Sequence, residues 1–130
     1  MVERRLYNWG IALSWIGVLA LILVGSLMPE QEGMGEQGIL SQDWSLFHIP
    51  AYAVLAVVTV WFLRARRLSL YTAIGISVLF SSLLGLGIEW LQPLFGRTQS
   101  LIDFGFNEIG VLLGSTVAMV FFYPRQLLRL

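Results

Sequence analysis

Four stretches of this chain stay apolar for about the thickness of a bilayer core, and that fact limits the fold more than any motif does. The first is free of charge from Leu6 to Pro29, around "IALSWIGVLALILVGSL". The second, "FHIPAYAVLAVVTVWFL" over 47–63, is apolar except for His48 and stops at Arg64. The third starts near Leu68, after "RARR", and continues to Glu89 and Leu91. The fourth, 101–123, opens with polar residues, turns fully apolar and ends before Pro124 and Arg125. A hydrocarbon core of roughly 30 Å takes about 20 helical residues to cross. Lipid offers unpaired backbone groups no partner, so such runs must be helices or strands of a closed barrel. The alternation of a barrel strand is absent. The chain therefore reads as all-α, a membrane-embedded four-helix bundle forming one domain, with helices over about 6–28, 46–63, 68–91 and 101–123.

Composition sharpens this by exclusion. With 57% hydrophobic and 12% charged residues over 130 positions and a mean hydropathy of +0.77, the chain is more apolar than a soluble domain and short for two domains. Cysteine is absent, which removes disulfides, thiolate metal sites and cysteine nucleophiles. A formal charge of zero gives no electrostatic case for nucleic acid as a partner. Arg4 and Arg5 before an apolar core also suit a signal peptide, but the run is long and no A-x-A pattern precedes Pro29, so a retained helix is expected.

Orientation follows from the arginines, because cytoplasmic flanks collect positive charge. Arg4 and Arg5 precede the first run, Arg64, Arg66 and Arg67 fill the second turn, and Arg125 and Arg129 follow the fourth run. These places fall on one side, and both termini are expected to be cytoplasmic. The first loop carries Glu30, Glu32, Glu36 and Asp43 without a base and belongs on the other side. Arg97 alone breaks the pattern, inside "IEWLQPLFGRTQSLIDFGFNEIG", where the polar residues of the second half of the chain concentrate.

Depth arithmetic gathers these residues. At 1.5 Å per residue a helix starting near Leu68 has risen roughly 30 Å by Glu89, which places that acid at the outer boundary. His48 opens the second helix outside, with Pro50 tolerated in its first turn, and Asp103 and Asn107 lie in the first turns of the fourth. The pairs His48 and Tyr52, Glu89 and Gln92, and Asp103 and Asn107 are three or four apart, so each shares one helix face. Ionisable groups at such depth turn to the bundle interior and to one another. Gly110 and Gly114, in "GVLLG", allow a close approach of the fourth helix to a neighbour.

Each residue has a plainer reading too. Ser100 and Asp103 form an S-x-x-D helix start; His48 suits an interfacial or core role; Tyr52, Trp44 and Trp90 suit an aromatic belt. Glu89 is hardest to explain this way, since an acid at a helix C-terminus is unfavourable and has no capping use there. Arg97, flanked by Thr98 and Ser100 after Gly96, together with the positive N-terminus of the fourth helix, suits an anionic group. The zinc spacing H-E-x-x-H is missing and no nucleophile is evident; neither a metal nor a cofactor is expected.

The series His48-x-x-x-Tyr52, Glu89-x-x-Gln92, Arg97, Asp103, Asn107 and Gly110 resembles the VanZ-like membrane proteins, which run H-F-x-x-Y, then E-x-x-Q near an arginine, then D-x-x-x-N-x-x-G. The likeness covers most of the chain, from Asp43 to the end of the fourth helix. Ile49 stands where the family commonly has phenylalanine and Ser45 where it has lysine, which leaves Arg97 as the outer-face cation. The resemblance implies a small multi-pass protein of the bacterial inner (plasma) membrane and a polar site made of His48, Tyr52, Glu89, Gln92, Arg97, Asp103 and Asn107. It also implies a possible link to resistance to the glycopeptide teicoplanin, with no defined reaction.

Three functions remain open: a module that binds an anionic lipid head group or cell-wall precursor, a membrane-embedded hydrolase or transferase with Glu89 and His48 as acid and base, and an envelope scaffold. The bilayer is the expected partner, and self-association through "GVLLG" or around Gly85 and Gly87 is a further option.

Overall fold

A computed structural model describes residues 2–28 and 46–127, with side chains described to Pro124. The acidic first-loop residues, Trp44, Ser45 and Arg129 lie outside the described residues. Among the described residues the chain is helical without strands: α1 spans Val2–Leu27, α2 His48–Ala65, α3 Leu70–Leu91 and α4 Leu101–Leu127, with a 3-10 turn Gln92–Phe95 between the last two. All four helices are long and apolar enough to cross a membrane.

The boundaries differ from the apolar runs for local reasons. Helix α1 starts before its apolar stretch, because Glu3, Arg4 and Arg5 lie outside the greasy core yet are compatible with a helix. Ser69 starts α3 by accepting the Thr72 N–H at 3.1 Å, a cap that moves its first residue to Leu70. Helix α4 continues past Tyr123 through Pro124 to Leu127; the missing proline N–H costs one hydrogen bond there rather than the helix.

The turn after α2 is a Schellman motif. Arg67 N–H reaches Arg64 O at 3.0 Å and Leu68 N–H reaches Leu63 O at 3.3 Å, with Arg67 in the left-handed region at φ 71°. Glycine usually takes this position. Gly96, at φ 74°, closes the 3-10 turn in the same conformation.

Packing is closest between α2 and α4. A Cβ added at Gly110 would fall on the carbonyl oxygen of Ile49, and one at Gly114 on that of Ala53. Glycines four apart on α4 thus seat on carbonyls four apart on α2, the small-residue contact that membrane helices use in place of a hydrophobic driving force. Self-association through this pair would first require the α2–α4 seam to open. Gly85 is likewise taken up, by Tyr52 and Asn107, while Gly87 faces open space.

Two apolar clusters stack along the bundle. Ile22, Tyr52, Leu55, Ile88 and Val111 form one, below the His48 end. Val60, Leu70, Ala73, Ala118 and Phe122 form the other. Helix α1 joins through ring contacts: Trp15 stacks on Phe62 at 4.9 Å between centroids and donates to Thr59 Oγ1 at 3.0 Å.

Candidate functional site

The polar residues meet at the end of the bundle where α2 and α4 begin and α3 ends. His48 is the centre. Its Nδ1 lies 2.8 Å from Asn107 Oδ1; an amide oxygen only accepts, so this contact puts the ring proton on Nδ1. Nε2 then faces Asp103 Oδ2 at 4.0 Å, an ion pair only when the ring is doubly protonated. The Tyr52 ring stacks one turn below, 6.4 Å from the imidazole. Gly85 of α3 completes this group: a Cβ there would sit 3.0 Å from Asn107 Nδ2 and 3.4 Å from the Tyr52 hydroxyl.

Glu89 reaches the same group from α3 and corrects one expectation. Its Oε2 accepts the Ser100 N–H at 2.9 Å, so the acid does serve as a cap, of α4 rather than of its own helix. The unfavourable field at the end of α3 is offset by the favourable one at the start of α4. Ser100 Oγ in turn accepts the Asp103 N–H at 3.2 Å. In an ordinary capping box Asp103 would return to the Ser100 N–H. Here Glu89 fills that role, and the Asp103 carboxylate is released toward His48.

Gln92 and Arg97 turn away from His48 and close the end of α1. Gln92 Nε2 donates to Ser26 O at 3.3 Å, and Arg97 Nη1 lies 3.4 Å from both Gly25 O and Ser26 O. The last carbonyls of a helix lack intrahelical partners and attract cations. The arginine that breaks the charge pattern thus reaches the last carbonyls of α1 through Nη1. Both features that suited an anion, Arg97 and the start of α4, carry protein ligands of their own.

Glu108 escaped the sequence reading. Its Oε2 accepts from Ser82 Oγ at 2.8 Å across the α3–α4 seam. The available signal was an acid with no capping position, deep in an apolar run and facing a serine pair.

Hydrogen bonds at this end are incomplete. The Tyr52 hydroxyl, Glu89 Oε1, Gln92 Oε1 and Asn107 Nδ2 are buried without a hydrogen-bond partner, on residues 0–2% exposed. Buried polar atoms are paired in the great majority of proteins, and each unpaired one costs about 1–3 kcal/mol. The set holds two acceptors, one donor and one hydroxyl, and His48, with its side chain 12% exposed, reaches the surface beside it. Among the described residues no group of three or more His, Cys, Asp or Glu is placed to hold a metal ion.

Comparison of the chain with protein-family models, curated proteins and solved structures returned no match.

Proposed function

We propose that this chain is a VanZ-like multi-pass protein of the bacterial plasma membrane whose polar end faces outward and recognises the head group of an envelope molecule, a lipid or a cell-wall precursor. The unpaired buried atoms of Tyr52, Glu89, Gln92 and Asn107 carry this reading: polar atoms kept dry at several kcal/mol in an apolar chain are matched by a ligand or its waters. With two acceptors, one donor and one hydroxyl in the set, the recognised groups are ones that donate and accept, such as amides and hydroxyls, with Asp103 and His48 at the mouth. Arg97, which bonds the end of α1 through Nη1, is the cation nearest this set for an anionic head group. Arg4, Arg5, Arg64, Arg66 and Arg67 at the opposite end support cytoplasmic termini. A contribution to teicoplanin resistance is the phenotype this reading suggests.

Native mass spectra of gently solubilised protein test it. The wild type should carry a defined envelope-derived adduct that weakens in Glu89→Gln and His48→Gln. A wild type without adduct, or variants that keep it in full, would reject the reading.

A scaffold role is the second reading, favoured by Glu89 and Arg97 each closing a helix end. It expects the same variants to lose stability with no adduct in the wild type.

A further inference from the structure

At the opposite end of the bundle a cleft of about 460 Å³ opens between α1 and the α2–α3 turn, lined by Arg5, Asn8, Trp9, Ala12 and Arg66. Arg5, Asn8, Trp9 and Ala12 are spaced i, i+3, i+4 and i+7, so they share one face of α1. Every polar group in this lining is a donor: two guanidinium groups, an indole N–H and the NH2 of a carboxamide whose oxygen is its sole acceptor. No acid lines it. Ala12 leaves the floor open.

The walls are built. Trp61 Nε1 donates to the Tyr7 hydroxyl at 3.0 Å, with the two rings edge-on at 6.3 Å, which fixes the spacing of α1 and α2 at this level. Arg66 lies over the Phe62 ring at 4.6 Å, and Phe62 is stacked on Trp15 of α1. Among the described residues neither the Arg5 nor the Arg66 guanidinium donates a hydrogen bond to protein, whereas Arg64 Nη1 is spent on Leu68 O at 2.8 Å.

We infer that this cleft is a phosphate site, clamping a phosphate mono- or diester between Arg5 and Arg66 with Trp9 and Asn8 as further donors. Guanidinium forks match phosphate oxygens in pairs, and a basic pocket between helices at the membrane boundary suits a phospholipid head group. Trp9, 67% exposed, borders the surface along which acyl chains would run. The site is independent of the head-group site at the other end and shares no residue with it.

The test uses the full chain in nanodiscs of equal phosphatidylglycerol and phosphatidylcholine, released for native mass spectrometry. Wild type should retain phosphatidylglycerol preferentially. Arg5→Gln with Arg66→Gln should weaken retention roughly tenfold, while Arg4→Gln with Arg67→Gln, which removes the same charge outside the cleft, should leave it near wild type. The Lys pair at 5 and 66, Arg5→Lys with Arg66→Lys, should fall between, since charge remains without the fork. Added inorganic phosphate separates the sources: no displacement identifies a lipid phosphate, and displacement identifies a soluble phosphate in the same clamp. Phospholipid retention unchanged in the Arg5 and Arg66 Gln pair, or equal loss in the two Gln pairs, would overturn the inference.

Discussion

Glu89 Oε2 accepts the backbone N–H of Ser100 at 2.9 Å, so the last acid of one membrane helix starts the next. The contact spans the 3-10 turn and ties α3 to α4 through a hydrogen bond between side chain and main chain. It leaves Asp103 free to face His48. A structural bond thereby sets the geometry of the candidate site.

Removing that cap should be costly in proportion to what replaces it. Glu89→Ala is expected to lower stability by about 1–2 kcal/mol, and Glu89→Gln, which keeps an acceptor, by under about 1 kcal/mol. Reversible unfolding in detergent micelles measures both. Equal losses would mean that charge, and not the hydrogen bond to Ser100, holds the turn.

The α2–α4 seam predicts a contrast among glycines. Gly110→Ala and Gly114→Ala drive a methyl into backbone carbonyls of Ile49 and Ala53, which cannot rotate away, and each should cost about 1–3 kcal/mol. Gly87→Ala meets nothing within 4 Å and should be neutral or stabilise by up to about 1 kcal/mol through helix propensity. Thermal unfolding of the three variants side by side decides it.

How much of this was readable beforehand depends on the range of the interaction. The helices were legible because lipid forces every backbone group inward, and the polar end was legible because depth and helical spacing place His48, Asp103 and Asn107 by arithmetic. The partners were not. Arg97 bonds carbonyls at Gly25 and Ser26, more than 70 residues back in sequence, and no periodicity announces a contact between a loop and a distant helix end. Glu89 looked out of place because only its own helix was considered. Glu108 sits one residue past Asn107, about 100° around the helix, and fell outside the face defined by Asp103 and Asn107.

Arg67 offers a stability gain. A non-glycine residue in the left-handed region costs about 1 kcal/mol, so Arg67→Gly should stabilise the fold by roughly that amount while keeping the Schellman bonds. Unfolding measurements showing a loss instead would assign Arg67 a contact that outweighs its strain.

His48 is the chain's one histidine, which makes its ring a single-site probe. In the wild type, nitrogen NMR of histidine-labelled protein should find the proton on Nδ1, as the bond to Asn107 Oδ1 requires. Asn107→Ala removes the acceptor and should shift the tautomer balance toward Nε2–H, nearer Asp103, at a cost of about 1–3 kcal/mol in stability. An unchanged ring spectrum would mean that Asn107 does not set the tautomer.

Tyr52 separates a site kept for binding from one kept for stability. Its hydroxyl is buried without a hydrogen-bond partner, beside Gly85 and Asn107 Nδ2, while its ring packs in the apolar cluster with Ile22 and Val111. Deleting only the oxygen keeps the packing and removes an unsatisfied polar atom, so Tyr52→Phe should raise the stability of ligand-free protein by up to about 1 kcal/mol. The same change should weaken any head-group adduct. Proteins tolerate such stability costs where function needs the group, so a variant that is more stable and binds less is the result expected of a binding residue. A variant that is less stable and binds unchanged would instead make the hydroxyl part of the fold, completed by ordered water.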